Sequence, residues 1–277
     1  MSALDEDALA EAYDAGRRAE DAGDVGAAAA HFRRCLELDP ADHCGVAMRL
    51  AAWGLAAPTV APPSYIATLF GQHAEAFDGI LVGALGYDVP ALARRLAGPH
   101  LPHGARLLDL GCGTGLAGAA FSDVAGTIVG VDLAEPMLER ADARGVYDEL
   151  YVGEAVAFLE SWDEAPFHAI VATDVWPYIG DLAPFAAAAA RCLVPGGHLI
   201  ASTERAASGW RVTTTQRFAH APAYVRTTLE AAGLRVAADE PIVVRREDGR
   251  PVEGDLFLAE LADVTPTCSP SAPGPAD

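Results

Sequence analysis

The sequence contains no lysine and no asparagine, so all 19 of its Lys+Arg positions are arginine. Without lysine there is no amine for a Schiff base with pyridoxal phosphate or a carbonyl substrate. Nor is there one for a phosphate-binding P-loop. Most kinase, P-loop ATPase and aldolase chemistries are excluded on that ground. Cysteine is sparse. The five stand at 35, 44, 112, 192 and 268, and no two form a CxxC pair. A disulfide framework or a zinc site does not fit that pattern, and no metal is expected. No apolar run reaches about 18 residues without a charge, so no membrane span is expected. The first residues, MSALDEDALAE, have no apolar signal-peptide core, which predicts a cytoplasmic protein. Positive charge is also short: 19 Lys+Arg face 39 Asp+Glu, a formal net charge of −20. Such a chain repels phosphate backbones and anionic lipid, so a nucleic-acid partner is not expected.

What is present is apolar and Ala-rich. With 277 residues and 51 % apolar composition, the chain can bury one generous domain with a small appendage. Residues 5–57 are Ala-rich, charged and free of β-branched runs, which predicts helices. Gly23-Asp24 divides the stretch, and Asp39-Pro40 ends its second helix. Pro58 to Pro63 reads as a linker. Ile66, Leu69, Phe70 and Phe77 then fall at helical spacing over 64–80.

From 105 onward the pattern alternates. Apolar strands are predicted near 105–110, 127–132, 149–153, 168–173, 197–203, 234–245 and 255–262, with helices between the first six. This is the signature of a doubly wound α/β sheet. Only Arg246 to Pro251 separates the last two strands, so a hairpin and an antiparallel last strand follow. The tail over 264–277 is expected to be disordered.

The first of these strands leads into Asp109-Leu-Gly111-Cys-Gly113-Thr-Gly115-Leu-Ala-Gly118. An acid at a strand end, alternating glycines and a helix start make a loop whose backbone can approach a ligand closely. Gly113, Gly115 and Gly118 satisfy GxGxxG, a weak dinucleotide signal by itself. A pyrophosphate would be repelled by Asp109, whereas an ammonium would be held by it. The second strand ends in Asp132, 17 residues past Gly115. An acid there accepts from a ribose diol, in a dinucleotide or in an adenosyl cofactor. Read alone, Asp132 also suits a helix N-cap.

The string LLDLGCGTG resembles the first motif of class I S-adenosylmethionine-dependent methyltransferases, and GVDLAEPML resembles their second. Tyr151-Val-Gly-Glu154-Ala155, Asp174-Val-Trp-Pro-Tyr178 and Leu193-Val-Pro-Gly-Gly-His198 follow in the family's order over about 104–262. The resemblance implies a Rossmann-like seven-stranded sheet with its last strand antiparallel, in a domain over 64–263. It also implies S-adenosylmethionine as cofactor. Its contacts would be Asp109, Gly111, Gly113, Gly115, Asp132, Leu133, Met137, Glu154, Ala155 and Asp174. In the family the acid at Glu154 reaches the adenine amino group, where Asp is commoner. Related enzymes often carry Asp after the first aromatic of the 70–78 helix; Gly71 stands there.

Residues 5–57 resemble one tetratricopeptide repeat of 34 residues. Gly16, Gly23, Asp24, Ala28, Phe32, Leu36, Leu38 and Pro40 fit its consensus, while Ala12 and Glu20 depart from it. Nearly the whole chain is similar to predicted bacterial methyltransferases that carry such a repeat. A solenoid needs about three units, so a helical pair packed on the main domain, a homodimer contact or a protein-partner contact is expected instead.

Methyl transfer to a hydroxyl requires a base. His220, after the fifth strand, is the first candidate. Tyr178, Trp176 and Glu204 are candidate walls of an acceptor pocket, and His73 a candidate lid residue. Arg217 offers a fork for an acceptor carboxylate. A small organic acceptor methylated at oxygen is the favoured reading. The alternatives are a protein methyltransferase recruiting its target through 5–57, a cofactor-binding assembly factor without turnover, and a NAD(P)-dependent oxidoreductase using the same loop.

Overall fold

The computed structural model describes residues 5–262. The tail expected over 264–277, including Cys268, lies outside the described residues. Three helices come first: α1 (Glu6–Asp21), α2 (Val25–Leu38) and α3 (Val46–Ala52). Helices α1 and α2 start on capping aspartates, and α3 starts after Gly45 with Asp42 reaching its first N–H groups. Asp5 accepts from Ala8 N at 3.0 Å, Asp24 from Ala27 N at 2.9 Å, and Asp42 from Val46 N at 2.8 Å. The three close a small core of their own around the buried Phe32, with Leu9, Ala28, Val46 and Leu50. Met48 of α3 reaches the main domain, packing with Ile66 and Phe218. The three-helix extension is thus seated on the main domain through α3. The structure does not by itself make it a tetratricopeptide unit.

The segment expected as a linker is paired with the turn that follows Phe167–Ala172. Ala61 N donates to Tyr178 O at 2.8 Å, and Gly180 N donates to Thr59 O at 2.8 Å. The helix expected over 64–80 is shorter. Helix α4 (Pro63–His73) ends early, and a π-helical turn, Gly79–Ala84, follows after a break. Glycines at 71, 79 and 83 weaken the helix there, since each costs about 1 kcal/mol against alanine. Helix α5 (Val89–Ala97) then leads to the sheet.

The sheet alternates with helices: β1 (Ala105–Leu110), α6 (Leu116–Phe121), β2 (Ala125–Asp132), α7 (Glu135–Asp142), β3 (Glu149–Val152), α8 (Ala155–Ser161), β4 (Phe167–Ala172), α9 (Ala183–Cys192) and β5 (Leu193–Arg205). Next come β6 (Trp210–Val212), β7 (Phe218–His220), α10 (Pro222–Ala231), β8 (Leu234–Glu247) and β9 (Arg250–Leu261). Strands β3, β2, β1, β4 and β5 lie side by side in parallel. Strand β9 runs antiparallel to β5 and to β8. All seven expected strands are there. The sheet nevertheless has nine, because β6 and β7 form a short hairpin beyond the end of β5. Three-residue strands around Thr213-Thr-Thr-Gln216 show no alternation long enough to read.

Two apolar cores cover the two faces of the sheet. One is built on Leu108, Val129, Ile170, Trp176, Phe185 and Phe257, the other on Leu107, Phe121, Val171, Ile200 and Leu258. The β1 residues Leu107 and Leu108 point to opposite faces, as pleating requires. This burial fixes the strand ends, so the loops that follow them meet at one edge.

Candidate functional site

A cleft opens at the carboxyl edge of β1 to β4, where open α/β sheets bind ligands. The space between its walls, counted out to the open mouth, is about 970 Å³. Four loops contribute to it in the spatial order of the strands. The turn after β3 brings Gly153, Glu154 and Ala155, and the end of β2 brings Asp132, Leu133 and Met137. The loop after β1 brings Gly111, Cys112, Gly113 and Thr114, and the turn after β4 brings Thr173, Asp174, Val175 and Tyr178. Val60, Ile66, Phe70, Phe77 and Leu81 from the preceding helical segments roof it.

The glycine loop has the shape its sequence implies. Gly111, Gly113 and Gly115 all have positive φ, at 62°, 53° and 89°. A Cβ on Gly111 would also stand 2.6 Å from Val175 Cγ2. Gly111→Ala is therefore expected to lower unfolding stability by about 2 kcal/mol, from the backbone strain and the displaced Val175. Denaturant melts read this directly; an unchanged midpoint would contradict the loop geometry.

Asp132 holds the loop. Its Oδ2 accepts from Gly113 N at 2.9 Å and its Oδ1 from Ala134 N at 2.8 Å. It thus anchors the loop and the turn that precedes α7, whose N-cap is Ala134 rather than Asp132. Burial raises its pKa, outweighing those N–H bonds. Glu154 caps α8 through Oε2, which accepts from Ala157 N at 2.8 Å, and still faces the cleft.

Asp109 is not in the cleft. It lies 1 % exposed behind the loop, where its Oδ2 accepts from Gly118 N at 3.0 Å and Tyr147 Oη at 2.7 Å. Its Oδ1 is buried without a hydrogen-bond partner. Burial pushes its carboxyl up to about 7, against the opposing bonds from Tyr147 and Gly118. Asp109 therefore braces the loop and α6 from beneath, rather than contacting a ligand directly as the sequence suggested. Gly115 likewise turns the chain without lining the cleft.

On the β4 side, Asp174 lines the cleft at φ 63°, an uncommon conformation for a non-glycine residue. Its N–H donates to Ser202 Oγ at 2.9 Å, and its Oδ1 accepts from Arg217 Nη2. Arg217 is fully engaged. Its Nε donates to Glu204 Oε1 at 2.5 Å, and its Nη1 donates to Tyr178 Oη. Burial opposes its charge, but Asp174, Tyr178 and Glu204 more than restore it. Arg245 Nη1 donates to the same Glu204 Oε1 at 2.7 Å. The Arg217 fork is thus closed by internal acids and is not free for an acceptor carboxylate. Glu204 lies 4 % exposed beneath Arg217, outside the cleft.

Three further expectations are corrected. His220 is fully buried and does not reach the cleft. Its Nε2 lies 2.8 Å from Ile179 O and its Nδ1 2.6 Å from Thr203 Oγ1. A carbonyl only accepts, so Nε2 carries the proton and the ring is a neutral core group. Burial drives its pKa down to about 4. It is not a base for a ligand. Trp176 is also fully buried, against Phe185 and Phe257. The turn Trp176–Tyr178 sends Tyr178 to the cleft and Trp176 into the core. His73 sits exposed at the end of α4, where Nδ1–H donates to Leu69 O at 2.7 Å. It does not cover the cleft.

The sequence reading missed Tyr87 and Thr173, which line the cleft, and the tie between roof and loop. Thr114 Oγ1 donates to Asp78 Oδ1 at 2.5 Å, and Arg144 bridges Asp78 and Thr114 O. Nothing local in the sequence marks that triad, since its members are 30 or more positions apart. Among the described residues, no arginine or histidine lines the cleft.

Residues 108–201 match the methyltransferase domain family. Over 163 residues the chain is 29 % identical to a ubiquinone biosynthesis O-methyltransferase of Maricaulis maris, covering 52 % of this chain and 64 % of that one. It is 34 % identical over 103 residues to the enzyme of the same name in Xylella fastidiosa, covering 36 % of this chain and 42 % of that one. The chain thus spans less than two thirds of the length of these relatives. A solved structure similar in fold is 1,6-didemethyltoxoflavin-N1-methyltransferase of Burkholderia thailandensis, which was crystallised with S-adenosylhomocysteine. Its TM-score is 0.57 at 20 % identity, over 75 % of this chain and 93 % of that one. Residues 108–201 therefore match a methyltransferase domain, and the chain has a fold that S-adenosylmethionine-dependent methyltransferases use.

Proposed function

We propose that this chain transfers a methyl group from S-adenosylmethionine to an oxygen of a small organic acceptor. The carrying observation is the order of groups along one cleft: Glu154, Asp132, the glycine loop, then Asp174. The residues present fit an adenosyl cofactor. Asp132 uses one lone pair of each oxygen on the backbone and keeps others for a ribose diol. Glu154 keeps Oε1 free for an adenine amino group, and Leu133, Met137 and Ala155 offer apolar contacts for a ring. The glycines leave room where side chains would fill the cradle. When bound, the sulfonium supplies a methyl group that is already activated.

The protein's own task is alignment and exclusion of water. Phe70, Phe77, Leu81 and Tyr87 close the acceptor side with apolar surface. An oxygen acceptor is supported by the names of the curated relatives and by the carboxylate at the β4 end of the cleft. A polyanionic acceptor is disfavoured, since among the described residues no cation lines the cleft and the net charge is −20.

Methyl-labelled S-adenosylmethionine, offered with a panel of uncharged phenols and alcohols, tests the reading. Label is expected in an O-methyl product released from the protein. Label transferred only to protein would overturn the small-molecule reading.

A further inference from the structure

We infer that Asp174 is the base that accepts the proton of the acceptor hydroxyl, through Oδ2, while Arg217 fixes its Oδ1. The inference rests on the methyl-transfer reading. Three independent observations carry it.

The first is position. Asp174 follows β4, and β4 pairs directly with β1, whose end opens into the glycine loop. The adenine and ribose contacts proposed above lie on the other side of that loop, after β3 and β2. Asp174 is therefore the one carboxylate among the cleft residues on the far side of the loop, facing the apolar acceptor end. The second is backbone. Asp174 holds φ at 63°, a strained conformation that the surrounding structure must enforce. Its N–H is pinned to Ser202 Oγ, so the turn is set by a bond and aims the side chain. The third is partnership. Arg217 holds Oδ1, and no hydrogen bond to Oδ2 is made among the described residues. One oxygen is anchored and the other is presented.

The charged and titratable groups facing Asp174 come from every element around it. They are Arg217 from the β6–β7 hairpin, Glu204 from β5, Arg245 from β8, Tyr178 from the turn after β4, and Tyr87 before α5. Burial raises the pKa of Asp174, and Arg217 and Arg245 only partly oppose this. Such a carboxylate is a better proton acceptor than an exposed one. The step balances. The acceptor O–H breaks and its proton goes to Asp174 Oδ2. The oxygen forms a bond to the methyl carbon, the carbon–sulfur bond breaks, and its electron pair stays on sulfur.

The test uses Asp174→Asn and Asp174→Gly in the full chain. Both residues tolerate positive φ, so neither strains the turn. Cofactor affinity is read by calorimetry with S-adenosylmethionine. Turnover is read as labelled methyl transfer to phenol, catechol and ethyl 4-hydroxybenzoate across a pH series. Wild type is expected to lose kcat as pH falls through the Asp174 titration. Both variants are expected to bind cofactor within about 3-fold of wild type, to lose kcat by at least about 100-fold, and to lose the acid limb. Asp174→Glu is expected to recover part of the rate. Variants that keep kcat and its pH profile would overturn the assignment. So would cofactor binding by wild type without transfer to any of these hydroxyl probes, which leaves the cofactor reading standing. Absence of cofactor binding by wild type overturns the methyl-transfer reading as well.

Discussion

Asp132→Ala is expected to weaken S-adenosylmethionine binding by about 100- to 1,000-fold. The carboxylate accepts two backbone N–H bonds, from Gly113 and Ala134, and both set the shape of the cradle. Bonds to an ionised group contribute roughly 1.5–3 kcal/mol each, and each 1.4 kcal/mol is tenfold in affinity. Loss of the ribose contacts comes on top of loss of the loop anchor. Asp132→Asn separates the two. An amide oxygen still accepts one N–H, but the amide nitrogen cannot accept the other. Its affinity should fall between wild type and Asp132→Ala in the same titration. Equal affinities for all three would show that Asp132 neither shapes the loop nor touches the cofactor.

Glu204→Ala is expected to cost about 3–5 kcal/mol of stability, because it leaves the Arg217 and Arg245 guanidiniums buried without their shared acid. For a chain of this size that lowers the thermal midpoint by on the order of 10 °C. The effect depends on pH. Burial alone would raise the Glu204 pKa, but Arg217 and Arg245 outweigh it and hold the carboxyl below its usual range. A group depressed in the folded state contributes stability above its unfolded value, and that contribution is lost as pH falls through the folded value. The gap between wild type and variant should therefore be full at pH 7. It should shrink as pH falls below the ordinary glutamate value of about 4.3. Thermal melts of both proteins over that range check it. A gap that is constant with pH would mean that the loss is one of packing and not of charge.

The half of the cleft proposed to hold the cofactor was legible in the sequence because its residues are placed locally. Each acid or glycine sits at the end of one apolar strand. Strand ends in an alternating α/β chain share one edge, so Asp132, Glu154 and the loop could be placed together before any coordinates. The ion-pair network behind the β4 end of the cleft was not legible as a network, because it is assembled from distant pieces. Asp174, Glu204, Arg217 and Arg245 come from β4, β5, the hairpin and β8, and only the fold makes them one network. The hairpin also explains the error at His220. Pairing of β7 with β5 and β6 buries that histidine among carbonyls, where its sequence neighbours suggested a loop over the site. Trp176 and Tyr178 are two positions apart, and a single tight turn sends them to opposite destinations. Asp109 was placed at the correct strand end, but its carboxylate points beneath the loop to Gly118 and Tyr147. Spacing alone could not give that direction.

The Pro58–Pro63 segment shows the same limit. Its composition reads as a linker, and Pro63 already opens α4. Its backbone bonds to residues 178 and 180 make it a wall of the cleft, and composition carries no record of that partner.

The central claim is that the cleft is built for an adenosyl cofactor. Calorimetric titration of the wild-type protein with S-adenosylmethionine and, separately, with NAD tests it most directly. The account predicts saturable binding of S-adenosylmethionine and none of NAD. Binding of NAD alone, or of neither, would contradict it.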